Sequence, residues 1–436
     1  MSGSIIFIIS IFLLICCLLI GMPVAYALIL IGFIGFCYVT SVSSALSLMV
    51  KTIWAIFSSY EFSVIPMFIL MGTLAFHSGF ASRIYFTAHK FFGYYRGGLL
   101  IATTLGCAAF GSVCGSTTAA VATIGKTAYP EIEKYGYDRS LSTACIAASG
   151  SLAILIPPSN MLIIYGVLTE QPIGKLFTAG ILPGLLLTLL FIIAIIITRW
   201  LKPELVPVVV NSKISWKEKF ASLSNIVDVF LLFLLMMGGL FIGWFSPTEA
   251  GAVGVIGMVL IGFFRKTLNW ENFFSAIYDT ARITGMIFLI VSGATIFGYF
   301  AAVTQFPSFL SALVSNLHAP PSLIIAIIII GYLIGGCFMD SLAMVTLTVP
   351  ILFPLILKLG FDPIWFGVII VLVVEMGVIT PPVGINVYVL SGSLENIPTE
   401  TIFRGIIPYL IAIIICTFLI LFFPKIVLLL PMYITY

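Results

Sequence analysis

Charge is what this chain has least of. Only 8% of its 436 residues are Asp, Glu, Lys or Arg, against roughly a quarter in soluble proteins, which excludes a soluble enzyme and a disordered chain. Histidine is scarcer still: His77, His89 and His318 are the only three, too dispersed for a zinc motif. The eight cysteines lie in or beside apolar stretches without metal-ligand spacing and read as small buried hydrophobes. A complete Walker loop is also missing. Gly125-Lys126-Thr127 imitates its end, but Ala120 stands where the upstream glycine is needed, so ATP hydrolysis is not indicated. The formal charge of +3 is too small and scattered to imply a nucleic-acid partner. The start, MSGSIIFIIS, has no positive n-region and reads as a retained span.

Apolar residues, by contrast, make up 61% of the chain. They fall in stretches near the roughly 20 residues that cross a bilayer. The chain also repeats itself at an offset near 225. Pro157-Pro158 recurs as Pro381-Pro382, Ser116 as Ser341, Thr123 as Thr348, and Gly180-Ile181-Leu182-Pro183 as Gly405-Ile406-Ile407-Pro408. Two halves of one body are implied, because the period is far longer than that of solenoid arrays. The expected organisation is a first repeat over residues 1–200, a cytoplasmic linker over 201–225 and a second repeat over 226–436.

Hydropathy in the first half gives spans near 3–20, 23–40, 62–82, 138–168 and 178–198; the second gives 226–245, 247–264, 285–303, 363–391 and 404–423. Each half has one further apolar region, about 98–130 and 321–356, interrupted by small residues at Gly111 to Thr117 and Gly335 to Ser341. Each arm is too short to cross a core of roughly 30 Å, so both are read as re-entrant hairpins. Five crossings per half invert the second half relative to the first. Placing both termini outside leaves only Lys51, Lys175, Lys358 and Lys425 of the nineteen Lys and Arg outside, as the positive-inside rule requires. Two amphipathic segments, Leu46 to Phe57 and Trp270 to Tyr278, are expected along the membrane interface. The fold class is therefore an all-α polytopic membrane protein of two inverted repeats, each with five spans and a re-entrant helical hairpin.

Non-helical chain inside lipid survives only where protein or a watery cavity receives it. Four such places are predicted: the hairpin tips and the double-proline breaks Ile156-Pro157-Pro158-Ser159-Asn160 and Thr380-Pro381-Pro382-Val383-Gly384. Proline frees carbonyls of the preceding turn. Freed carbonyls and hydroxyls suit a dehydrated alkali cation, and half-helix N-termini suit a carboxylate. Asp340, at the second tip, is costly there unless coordinated or paired; a coupling-ion ligand and an N-cap for the returning arm are compatible roles. Glu375 is either a proton carrier or a structural carboxylate. Glu249, after Pro247-Thr248, reads as a first-turn cap.

At GSVCGSTTAAVATIG, ILIPPSNMLIIYG, FMDS and ITPPVGINVYVLSG, with GMPVAYAL and SPTEAGAVG, the sequence resembles the large membrane subunit of tripartite ATP-independent periplasmic (TRAP) transporters over essentially its whole length. The resemblance implies an elevator-type ion transporter fold and a sodium-coupled importer of an organic anion, such as a C4-dicarboxylate or sialic acid, in the bacterial inner membrane. It further implies two protein partners, a small membrane subunit of about four spans and a periplasmic substrate-binding protein. Sodium is the implied coupling ion, with no organic cofactor. Carried onto this chain, one sodium site involves Ser112, Gly115, Ser116, Ile156, Pro157 and Ser159, and a second Gly336, Asp340, Thr380 and Gly384. Substrate is expected near Thr117, Asn160, Ser341 and Asn386. A channel, an intramembrane enzyme and a proton- or other-ion antiporter are the rivals. The sequence shows no nucleophile and base set for the enzyme, and the antiporter would use Glu375.

Overall fold

The computed structural model describes residues 3–207, 215–316, 319–394 and 397–433; His318 lies outside them. The described residues form α-helices and short 3-10 turns, with no strand among them. Among the described residues, four single helices are long and apolar enough to cross a membrane, including Ile173–Leu201 and Pro247–Phe264. Four bent pairs qualify when each pair is taken together, including Val42–Ser58 with Glu61–His77, bent by 57°.

The first hairpin is built from Gly98–Cys114 and Thr117–Lys134. Its turn is tighter than the sequence suggests, because Gly111 to Cys114 remain helical and only Gly115 and Ser116 leave the helix. Gly115 sits at φ +59°, a conformation glycine adopts without the penalty of a side chain. The second hairpin is Pro321–Gly336 and Ser341–Lys358. The double prolines break the chain as expected. In the first broken segment, Arg139–Ser149 and Leu152–Leu155 are followed by Asn160–Thr169; in the second, Pro363–Gly377 is followed by Ile385–Ser393. The Pro157-Pro158 and Pro381-Pro382 bonds are cis.

One expectation needs correcting. Trp270 to Tyr278 is not a separate interfacial piece, since it runs without a break into the following apolar helix as Trp270–Val303. No proline punctuates that join, and its one glycine, Gly285, is carried within the helix, as an isolated helical glycine can be. Within residues 215–225 the chain forms the helix Trp216–Leu223. Lys219 anchors that helix by donating to the Tyr94 hydroxyl at 2.7 Å.

The halves interlock rather than sit side by side. Val24–Val39 packs along Trp270–Val303, and Pro247–Phe264 packs along Val64–His77. Each hairpin likewise leans on the other half, with Thr117–Lys134 against Ile385–Ser393 and Ser341–Lys358 against Asn160–Thr169. A hydroxyl bond from Tyr165 to the Pro363 carbonyl, 2.6 Å, ties the two broken segments together. Lipid supplies little hydrophobic force between helices, so such close packing and interhelical hydrogen bonding must hold them. The helix Pro363–Gly377 shows this best. All but its first residue are buried, and a Cβ on Gly377 would lie 2.4 Å from the Gly336 carbonyl carbon. The same contact recurs in the first half, where a Cβ on Gly111 would lie 2.4 Å from Ala153 Cα.

Candidate functional site

Three helices begin at one cavity of about 190 Å³. Its wall includes Gly115, Ser116 and Thr117 from the first tip, Asn160 from the first break, and Asp340 and Ser341 from the second tip. Each helix starts there because a short polar side chain caps it. Ser116 Oγ accepts from the Ala119 N–H at 3.4 Å, Ser159 Oγ from Leu162 at 3.2 Å, and Asp340 Oδ2 from Leu342 at 3.2 Å. Uncapped N–H groups and partial positive charge at helix N-termini attract anions. Asp340 adds a formal negative charge at the same wall, which a cation would balance.

An adjoining cavity of about 350 Å³ shares Ser116, Thr118 and Asn160 and continues toward Thr73 and Asp279. The wall facing the tips comes from Trp270–Val303 through Ile283, Met286 and Ile287. Sequence reasoning missed these apolar residues and Thr118, because nothing in the helical pattern of an apolar span marks which turn faces a cavity.

The remaining sequence-predicted residues are distributed differently. Ser112 lines another crevice, with Ile156 and Pro157, against the helix Val227–Ile242. Ile156 is extended at φ −80° and ψ 122° as it caps Leu152–Leu155, which turns its carbonyl off the helix axis. Ser159 is fully buried, donating to the Ile154 carbonyl. Gly336 packs against Gly377, and Thr380 Oγ1 bonds back to the Met376 carbonyl at 2.5 Å. Gly384 holds φ +61° at the start of Ile385–Ser393. Asn386 is fully buried and donates to the Ala147 carbonyl at 3.3 Å; none of these last four lines the cavity between the tips.

Capping also refines the repeat. Ser116 and Asp340 occupy the same N-cap position, so Thr117 rather than Ser116 is the structural counterpart of Ser341. Asp340 is thus a helix cap, and its exposed carboxylate faces the cavity as well. Glu249 completes a capping box. Its carboxylate accepts from the Ser246 N–H at 2.8 Å while Ser246 Oγ accepts from the Glu249 N–H at 3.3 Å. Among the described residues, no group of His, Cys, Asp and Glu is arranged to hold a transition metal.

A sequence profile described as "Tripartite ATP-independent periplasmic transporter, DctM component" matches residues 11–426. The chain belongs to this family. It is 33% identical over 374 residues to the C4-dicarboxylate TRAP transporter large permease protein of Pseudomonas aeruginosa, covering 85% of this chain and 86% of that one. It is 31% identical over 412 residues to the sialic acid TRAP transporter large permease protein of Vibrio cholerae, covering 94% and 95%. The ectoine large permease of Halomonas elongata is 30% identical with the same coverage. In fold, the permease is similar to the YdaH transporter of Alcanivorax borkumensis, with a TM-score of 0.60, 15% identity, and 90% of this chain and 89% of that chain covered. It is a multi-pass bacterial membrane permease of secondary transport, and not an enzyme.

Proposed function

We propose that the permease imports a small organic anion, driven by inward sodium flow, after a periplasmic binding protein delivers it. The observation that carries this reading is the meeting of three helix starts and Asp340 around one cavity. A carboxylate suits the N-termini at Thr117, Asn160 and Ser341, and sodium suits the hard oxygens beside it. Anion and cation then neutralise each other, so each raises the affinity for the other, a coupling that thermodynamics makes reciprocal. On this reading the hairpins and broken segments travel together as an elevator, while Val24–Val39, Pro247–Phe264 and the helices packed on them stay as scaffold. The inner membrane with both termini periplasmic, and a small four-span subunit as partner, complete the assignment.

Uptake into proteoliposomes containing the permease with its two partner proteins tests it. An inward sodium gradient is expected to drive accumulation of a C4-dicarboxylate or sialic acid. Equal uptake of these anions without a sodium gradient, across a range of pH, would sink the sodium reading. Single-channel currents would favour a pore instead.

A further inference from the structure

Away from the cavity, where the two broken segments cross, a second group of oxygens is buried in the protein. Glu375 lies within Pro363–Gly377 and is 1% exposed. Its Oε1 accepts from the Ser341 hydroxyl at 3.4 Å. Its Oε2 has no partner. The Ser151 hydroxyl, fully buried in the kink between Arg139–Ser149 and Leu152–Leu155, adjoins the same carboxylate and has no partner besides it.

The repeat explains why these two residues meet. Ser151 and Glu375 are 224 positions apart, the same interval that separates the N-caps Ser116 and Asp340. Residues that are counterparts in two related halves, and that also adjoin each other, lie on the axis relating the halves. One half therefore brings a hydroxyl to that axis and the other a carboxylate.

A carboxylate this deep is expensive to ionise without a counter-charge. None of the ion pairs among the described residues includes Glu375, so its charge is met by a small cation or by a proton. Two oxygens with no partner outside the pair, and a third hydroxyl beside them, are hard ligands, and hard oxygens are what an alkali cation takes in exchange for its water.

We propose that Glu375 Oε2 and Ser151 Oγ hold a further sodium ion, with Ser341 Oγ completing that side of the shell. This rests on the sodium-coupled reading above and deepens it. The ion sits behind the anion cavity rather than in it, and ties the second tip to the first broken segment through Ser341. Its arrival fixes the hydroxyl that the substrate meets, so the cation binds before the anion.

Sodium alone is the probe. The permease, purified with its small membrane subunit, is titrated with radiolabelled sodium at constant ionic strength. Glu375→Gln is expected to bind one sodium fewer than the unmodified protein, and Ser151→Ala to need about tenfold more sodium for half-saturation. Glutamine reproduces a protonated carboxyl, so an unchanged sodium count in Glu375→Gln would overturn the proposal in favour of a permanently protonated side chain. Should Glu375→Gln fail to fold, unchanged half-saturation in Ser151→Ala would overturn it equally. An unmodified protein that binds no sodium would bring down the proposed coupling itself; one that binds sodium, with variants that behave alike, would bring down only this site.

Discussion

The two hairpins turn at matching positions but with different chemistry. The first tip is neutral, capped by Ser116 after a left-handed Gly115, while the second is capped by Asp340. Behind them the asymmetry repeats, with Ser151 opposite Glu375. Helices, breaks and close glycine contacts are shared by both halves, whereas the carboxylate at a hairpin tip, Asp340, and the buried carboxylate behind it, Glu375, both belong to the second. The repeat therefore accounts for the architecture, and departures from it mark where charge is handled.

The comparison is broken most severely at the shared contact itself. Gly377→Val would force a branched side chain into the Gly336 backbone, and overpacking there is expected to cost about 3 kcal/mol. Thermal unfolding in detergent checks this. The counterpart Ala153→Gly leaves more space and should cost about 1 kcal/mol through helix propensity alone.

The tips come next. Asn caps helices as well as Asp does, so Asp340→Asn should leave the amount of folded protein unchanged. It should raise the sodium concentration for half-maximal uptake about tenfold, or ~1.4 kcal/mol. Equal loss of folded protein and sodium dependence would make Asp340 a cap and nothing more. Ser116→Ala at the neutral tip removes a cap worth about 1 kcal/mol. It is expected to shift sodium half-saturation only about threefold, as losing one neutral ligand should.

The smallest effect on transport is expected far from both tips. Ser246→Ala breaks the capping box with Glu249 and should lower stability by about 1 kcal/mol. Uptake per folded molecule should not change, which circular dichroism and a transport assay on the same preparation would show.

Much of this was legible in the sequence because proline and glycine act locally. Pro157-Pro158 and Pro381-Pro382 predicted both breaks, and the small residues near Gly115 and Gly336 predicted both turns. The amphipathic pattern from Trp270 was read correctly as helix but wrongly as a separate piece, because periodicity does not reveal whether two helical stretches share one axis. Asn386 is expected at the substrate from its place beside a break; its amide nitrogen donates to the Ala147 carbonyl while its Oδ1 stays buried without a partner. Ser151 was overlooked for the opposite reason. A serine in a run of small residues carries no signal of its own until the repeat interval sets it against Glu375.

The central claim is that the two tips and the first break enclose one anion site organised by sodium. Its most direct test is a density map of the permease with its partner subunit, sodium and a transported anion. The account predicts anion density bounded by Thr117, Asn160 and Ser341, with cation density beside Asp340. Anion density in the apolar crevice by Ser112, or tips standing apart with substrate bound to neither, would contradict it.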